Sequence, residues 1–170
     1  MAADSYTIAI ATGLTQDIAP VTLNSFPPDS DGAQPPEIIG AAAASAWTPA
    51  QVPQLTGPKR DRLLWTIDAA ASQADALRLA SFYGWQQNRI QNKLDARLSF
   101  TDEYFYTLPA PALTRAVVSQ LATSDGQLYG YPVVDALISP VIIEDLGRGV
   151  TSGIRWQRVA FQIEEARPIA

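Results

Sequence analysis

The clearest hydrophobic pattern lies between residues 63 and 106. Leu63, Trp65 and Ile67 alternate with Leu64, Thr66 and Asp68, a period of two that predicts a strand with one buried face. The period then changes. Over residues 72–90, Ala76, Leu79, Ala80, Tyr83 and Ile90 recur at the 3.6-residue spacing of one helix face laid on a sheet. Ser72 followed by Asp75 reads as a capping-box-like start, and Asp75 early with Arg89 late suits the helix dipole. Gly84 falls inside this helix at a cost of about 1 kcal/mol relative to alanine; close packing against a neighbouring backbone is the expected reason. The two-residue period returns where Leu98 and Phe100 face one way and Arg97, Ser99 and Thr101 the other.

On either side the pattern is less even. Residues 6–11 alternate weakly and read as a first strand, with 20–26 a second. Residues 26–37 set Phe26 beside four prolines, Pro27, Pro28, Pro35 and Pro36, among Ser, Asp and Gly. Such a composition cannot bury enough apolar surface to fold alone, so it reads as a loop or as an arm that orders on a partner. Residues 38–47 are alanine-rich without a clear period, and 49–58 are broken by proline. Residues 1–58 therefore read as N-terminal strands with a Pro/Ala-rich arm or loops. Residues 59–170 read as the β-rich core carrying helix 72–90, the whole forming one domain or a domain with an arm.

Downstream the chain reads as an antiparallel meander. Segments 114–121 and 128–138 flank Asp125-Gly126, a hairpin signal, and 141–146 and 154–165 flank a glycine-rich turn at 147–153. In the last strand Val159, Phe161 and Ile163 share one face, with Arg158, Ala160, Gln162 and Glu164 on the wetter one. Seven or eight strands and one helix predict a mainly β fold, a β-sandwich or split barrel with one flanking α-helix.

Composition narrows the chemistry. The chain of 170 residues has neither cysteine nor histidine, which removes disulfides, thiolate zinc sites, cysteine nucleophiles and any Ser-His triad. A net charge of −5 argues against nucleic-acid backbone as the main partner. No apolar run approaches the length of a membrane span, and residues 1–14 lack the basic start and apolar core of a signal peptide. Charged residues make up only 17 %, below the roughly 25 % of a typical soluble domain. Arginine outnumbers lysine ten to two. Surfaces covered by other subunits show this bias, and so does GC-rich codon usage.

Few residues offer catalysis. Asp102-Glu103 and Glu144-Asp145 are adjacent carboxylates, but neighbours on a strand point to opposite faces, so solvated strand-end charges are the expectation. Gly147-Arg148-Gly149 lacks the following helix that a phosphate loop needs. Contact surfaces are better supported. Trp85 falls on the helix side of Arg78 and Arg89, where a guanidinium or another subunit can stack on it, or a loop of the same chain can cover it. The candidate contacts are Phe26, Pro27, Pro28, Pro35 and Pro36 in the arm, Trp85 with Arg78 and Arg89, and Arg148 in the last hairpin, with no catalytic or metal-binding set and no cofactor. Two alternatives stay open. One is a monomeric β-barrel stacking a carbohydrate or other small ligand on Trp47, Trp156 or the Tyr129/Tyr131 pair; the other is a carboxylate-dependent hydrolase built on Asp102, Glu103, Glu144 or Asp145.

Four segments also carry a resemblance: WTID at 65–68, ADALRLASFY at 74–83, LSFTDEYFYTLP at 98–109 and WQRVAFQIEEARP at 156–168. In this order the chain resembles the minor tail, distal tail and baseplate proteins at the tip of bacteriophage tails, over about residues 60–168. It departs from one such group in lacking a Phe-Gly-Asp-Gly-Tyr signature near the N-terminus. The resemblance implies a tail-tube-like β module without catalysis that assembles into a ring, a hexamer or trimer. It implies a place in the virion after synthesis in the host cytoplasm. The expected partners are further copies and neighbouring tail tube, hub or baseplate proteins, with no nucleic-acid specificity and no membrane.

Overall fold

The computed structural model describes residues 4–39, 62–106, 119–123, 126–131, 133–148 and 153–166. Ten strands and one helix lie within them. In chain order these are β1 (Tyr6–Ile10), β2 (Val21–Leu23), β3 (Glu37–Ile39), β4 (Arg62–Ser72), α1 (Gln73–Gln91), β5 (Leu98–Asp102), β6 (Ser119–Thr123), β7 (Gly126–Gly130), β8 (Val134–Ile138), β9 (Ile142–Arg148) and β10 (Arg155–Glu165).

The predicted alternation places the core. Every odd position of β4 from Leu63 to Ala71 is buried, as are Leu98 and Phe100 in β5 and Val159, Phe161 and Ile163 in β10. Antiparallel pairing sets these side chains opposite one another, Phe161 against Ile67 and Ile163 against Trp65. The main sheet runs β2-β1-β5-β8-β10-β4-β3, β9 lies against β10, and β6–β7 form a separate hairpin around the predicted turn. The sheet curls strongly. Just past β2, Ser25 bridges Ala70 of β4, whose N–H donates to the Ser25 carbonyl at 2.8 Å. The fold is therefore a mainly antiparallel, curled half-barrel with one helix, of the split-barrel rather than the sandwich type.

Helix α1 follows β4 directly. The Ser72 hydroxyl accepts the Asp75 N–H at 3.2 Å and donates to its carboxylate at 2.9 Å, a cap that contributes about 1 kcal/mol. The buried face differs from the expected one. Ala76, Leu79, Phe82 and Gln86 are buried, while Ala80 is exposed and Tyr83 and Ile90 are half-buried. A Phe ring buries far more area than an Ala methyl, which turns the helix toward Phe82. Gln86 joins that face because its amide replaces a strand neighbour: it donates to the Ile138 carbonyl at 3.0 Å and accepts the Ile138 N–H at 2.9 Å. Gly84 is not explained by close packing. It is exposed, and a Cβ there would meet nothing within 4 Å.

The helix ends in a Schellman turn. The Leu94 N–H bonds the Arg89 carbonyl at 2.8 Å and the Lys93 N–H bonds the Ile90 carbonyl at 3.0 Å. This places Lys93 in the left-handed region, φ 58°, where glycine is usual.

Three expectations need correction. The compact domain does not begin near Lys59: β1 and β2 lie in the main sheet, and Tyr6, Ile8, Ile10, Val21 and Leu23 belong to its core. Their short, weakly alternating runs understate burial set by β5, the distant partner of β1. The segment 128–138 is not one strand, since β7 ends at Gly130 and β8 in the main sheet starts at Val134. Glu164 is not on a wet face. It is 2 % exposed and pairs with Arg62, itself 2 % exposed.

Candidate assembly surface

Strand β9 takes its shape from β10. Its inner edge pairs from Ile142 opposite Ala160 to Arg148 opposite Arg155, with a bulge at Trp156/Gln157. Among the described residues nothing pairs with its outer edge. An open edge is a template for another chain, and here charged Glu144, Asp145 and Arg148 share it with apolar residues. Ile142 is 63 % exposed, and Ile143 and Leu146 are exposed as well. Adjacent residues on a strand point to opposite faces, so Ile142 and Ile143 are exposed on different sides of β9. Ile143 lies over the start of α1 beside exposed Leu77. On the other side Ile142 rims a groove of about 540 Å³ with Asp68, Pro140, Glu144, Arg158 and Phe161.

The charges around this edge are lopsided. Arg158 binds Asp68 at 2.6 Å and Asp29 at 3.0 Å, and the Arg155 Nε donates to Asp145 at 3.0 Å. Glu144 has no ion-pair partner among the described residues. Asp29, Asp68, Glu144 and Asp145 against Arg155, Arg158 and Arg148, which ends the strand, leave the edge at about −1.

The opposite end of α1 has the reverse character. The Arg89 guanidinium sits 5.0 Å above the Trp85 ring, a cation–π contact, and its Nε donates to the Asp95 carbonyl. Trp85 is half-buried against the core. Beyond it Lys93 and Leu94 are exposed, Leu94 at 53 %. Arg78 lies on the same stripe but nearer the start of the helix, where it pairs with Asp75 at 3.1 Å. The structure thus joins Trp85 and Arg89 and leaves Arg78 apart.

The remaining candidates are placed as follows. Phe26 packs on Tyr6 and Tyr104, at ring distances of 6.4 and 5.8 Å, and Pro27 and Pro36 are buried. Pro35 is half-buried and Pro28 exposed, so the proline segment is seated on the body of the protein at both ends. Arg148 ends β9, and its side chain lies outside the described residues, as do residues 149–152 and Trp47. Trp156 is half-buried, and Tyr131 is buried against Trp65 and Tyr106 and so offers no stacking platform.

The carboxylates separate by environment. Glu144 and Asp145 are exposed, and Glu103 is exposed and accepts the Ser5 hydroxyl at 2.6 Å. Asp102, expected at a solvated strand end, is 4 % exposed. It accepts hydrogen bonds from Trp65 Nε1 and the Tyr106 hydroxyl, both at 2.9 Å, and from the Tyr104 N–H at 3.0 Å. The Tyr106 and Tyr6 hydroxyls are 3.2 Å apart and extend the network to β1. Burial pushes the Asp102 carboxyl up from 3.8 to about 6, against the lowering effect of those donors. Burial likewise raises the Tyr104 hydroxyl to about 12. The Asp102 carboxylate and the two tyrosine hydroxyls are buried together, and their hydrogen bonds tie β1, β4 and β5 to one another. Among the described residues no three acidic side chains converge as metal ligands, and no helix is long and apolar enough to cross a membrane.

Comparison with protein-family models, curated proteins and solved structures finds no match for this chain.

Proposed function

We propose that the chain is a structural component of a phage tail or baseplate. In this reading it assembles into a ring and connects the tail tube to tail-tip or baseplate proteins, working by association rather than catalysis. The observation that carries the reading is the open edge of β9, with Ile142, Ile143 and Leu146 exposed on a strand that nothing pairs on its outer side among the described residues. Exposed apolar side chains on an open sheet edge mark a site for another chain. The low charge content and the arginine bias fit a surface covered by neighbours. Three of the four segments that resemble tail proteins contribute buried positions to the half-barrel core through β4, β5 and β10, and the fourth forms the helix laid on it. The resemblance therefore rests on packing positions, which suits a scaffold.

Light scattering after size exclusion, over a concentration series and paired with negative-stain images, tests this. Closed rings whose abundance grows with concentration are the expected result. A strict monomer at the highest concentration reached, alone and with co-expressed tail neighbours, overturns it.

A further inference from the structure

Resting on the ring reading, we infer that the contact between copies is head-to-tail. The acidic, apolar edge of β9 in one copy docks on the basic, apolar corner at the C-terminal end of α1 in the next.

The two surfaces are complementary and lie at opposite ends of one rigid element. Ile143 and Arg155 adjoin the first turns of α1, whereas Trp85, Arg89, Lys93 and Leu94 form its far end. Nineteen residues of helix separate them by about 28 Å. The β9 edge presents Ile142 and Leu146 around Glu144, which lies across from Arg158 and has no ion-pair partner among the described residues. The far corner presents Leu94 beside Lys93, which has no ion-pair partner among the described residues, and the Arg89–Trp85 stack. Apolar groups meet apolar groups while carboxylate meets ammonium, the pattern that fixes register between surfaces.

Symmetry favours the same choice. Pairing β9 with a second β9 about a twofold axis conflicts with a ring, because the shared patch is used up in a dimer. A contact between two different patches has no such conflict and closes into a ring when the rotation per copy divides a full turn.

Lys93 supplies a separate indication. Its left-handed backbone is strained where glycine would not be. A lysine held there puts a charge at the corner at the expense of stability, a combination found at working surfaces.

The test uses the full chain and two charge reversals, Glu144→Lys and Lys93→Glu, assayed by light scattering. Each single variant is expected to raise the concentration needed for assembly at least tenfold, and the double reversal to recover most of the loss. Mixing the two single variants tests the pairing of these two surfaces, and the mass of the assembly separates a ring from a twofold dimer in which the same patches meet. A head-to-tail contact lets the intact edge of Lys93→Glu meet the intact corner of Glu144→Lys, but also allows the two reversed surfaces to meet, so the mixture assembles better than either alone. Lys93→Gly serves as the folding control, expected to melt higher than wild type yet assemble more weakly. If wild type forms rings and these variants form them equally well, the pairing of the β9 edge with the α1 corner is wrong while the ring reading stands. If wild type stays monomeric under all conditions, both fall.

Discussion

The charge on Asp102 is the most informative group to remove. Replacing it by asparagine keeps the side chain's size and stands in for the protonated carboxyl, and Trp65 Nε1 can still donate to the amide oxygen. A carboxyl at about 6 in the folded protein and near 3.8 in the unfolded chain binds its proton more tightly when folded. Its contribution to stability is therefore fully present below pH 3.8 and lost as the pH rises through 6. The whole effect is about 3 kcal/mol. Between pH 7.5 and 4.5 wild type should gain about 2 kcal/mol on Asp102→Asn, because the other titrating groups are common to both and cancel. For a chain of this length that is a relative shift of about 5 °C in melting temperature. Thermal or urea unfolding of both proteins at the two pH values reads it directly. Parallel stability curves, with the gap changing by less than about 0.5 kcal/mol, would refute the reasoning and mean that the hydrogen bonds fully compensate burial of the charge.

Two further changes probe the scaffold. Gly84→Ala should stabilise by about 1 kcal/mol, since the new methyl meets open space and the unfolded chain loses freedom; an unchanged or lower urea midpoint would show that the helix needs glycine there. Glu164→Ala should destabilise by about 3 kcal/mol, the low end for breaking a buried ion pair, because Glu165 still acts on Arg62. A loss under 1 kcal/mol in urea unfolding would mean that the pair contributes little.

What the sequence made legible was local. The odd positions of β4, the buried faces of β5 and β10 and the Ser72 cap each depend on neighbours a few residues apart, and each is found where the pattern placed it. What stayed hidden depends on partners far along the chain. Asp102 reads as a strand-end charge until the fold brings Trp65 to it from 37 residues away, and Glu164 reads as wet until Arg62 arrives from 102. The helix face was misjudged for a related reason. Gln86 is buried because it bonds the backbone of β8 at Ile138, and no helical period contains that information. Of the candidate surface, the Trp85–Arg89 stack was visible on the helical wheel. The acidic edge of β9 was not, because which strand ends a sheet follows from topology.

The pairing of β10 with β4 also sets the order in which the chain can be completed. Contacts such as Arg158 with Asp68 span 90 residues, so β4 and α1 leave the ribosome well before the strand that covers the long edge of β4. At about 5–20 residues per second the nascent chain carries that apolar face unpaired for roughly 5–20 s. Until β10 is made, the half-barrel lacks the strand that joins β4 to β8. Synthesis is thus the interval of greatest aggregation risk, and a chain broken off before β10 is left with an exposed hydrophobic sheet fragment rather than a smaller version of the fold.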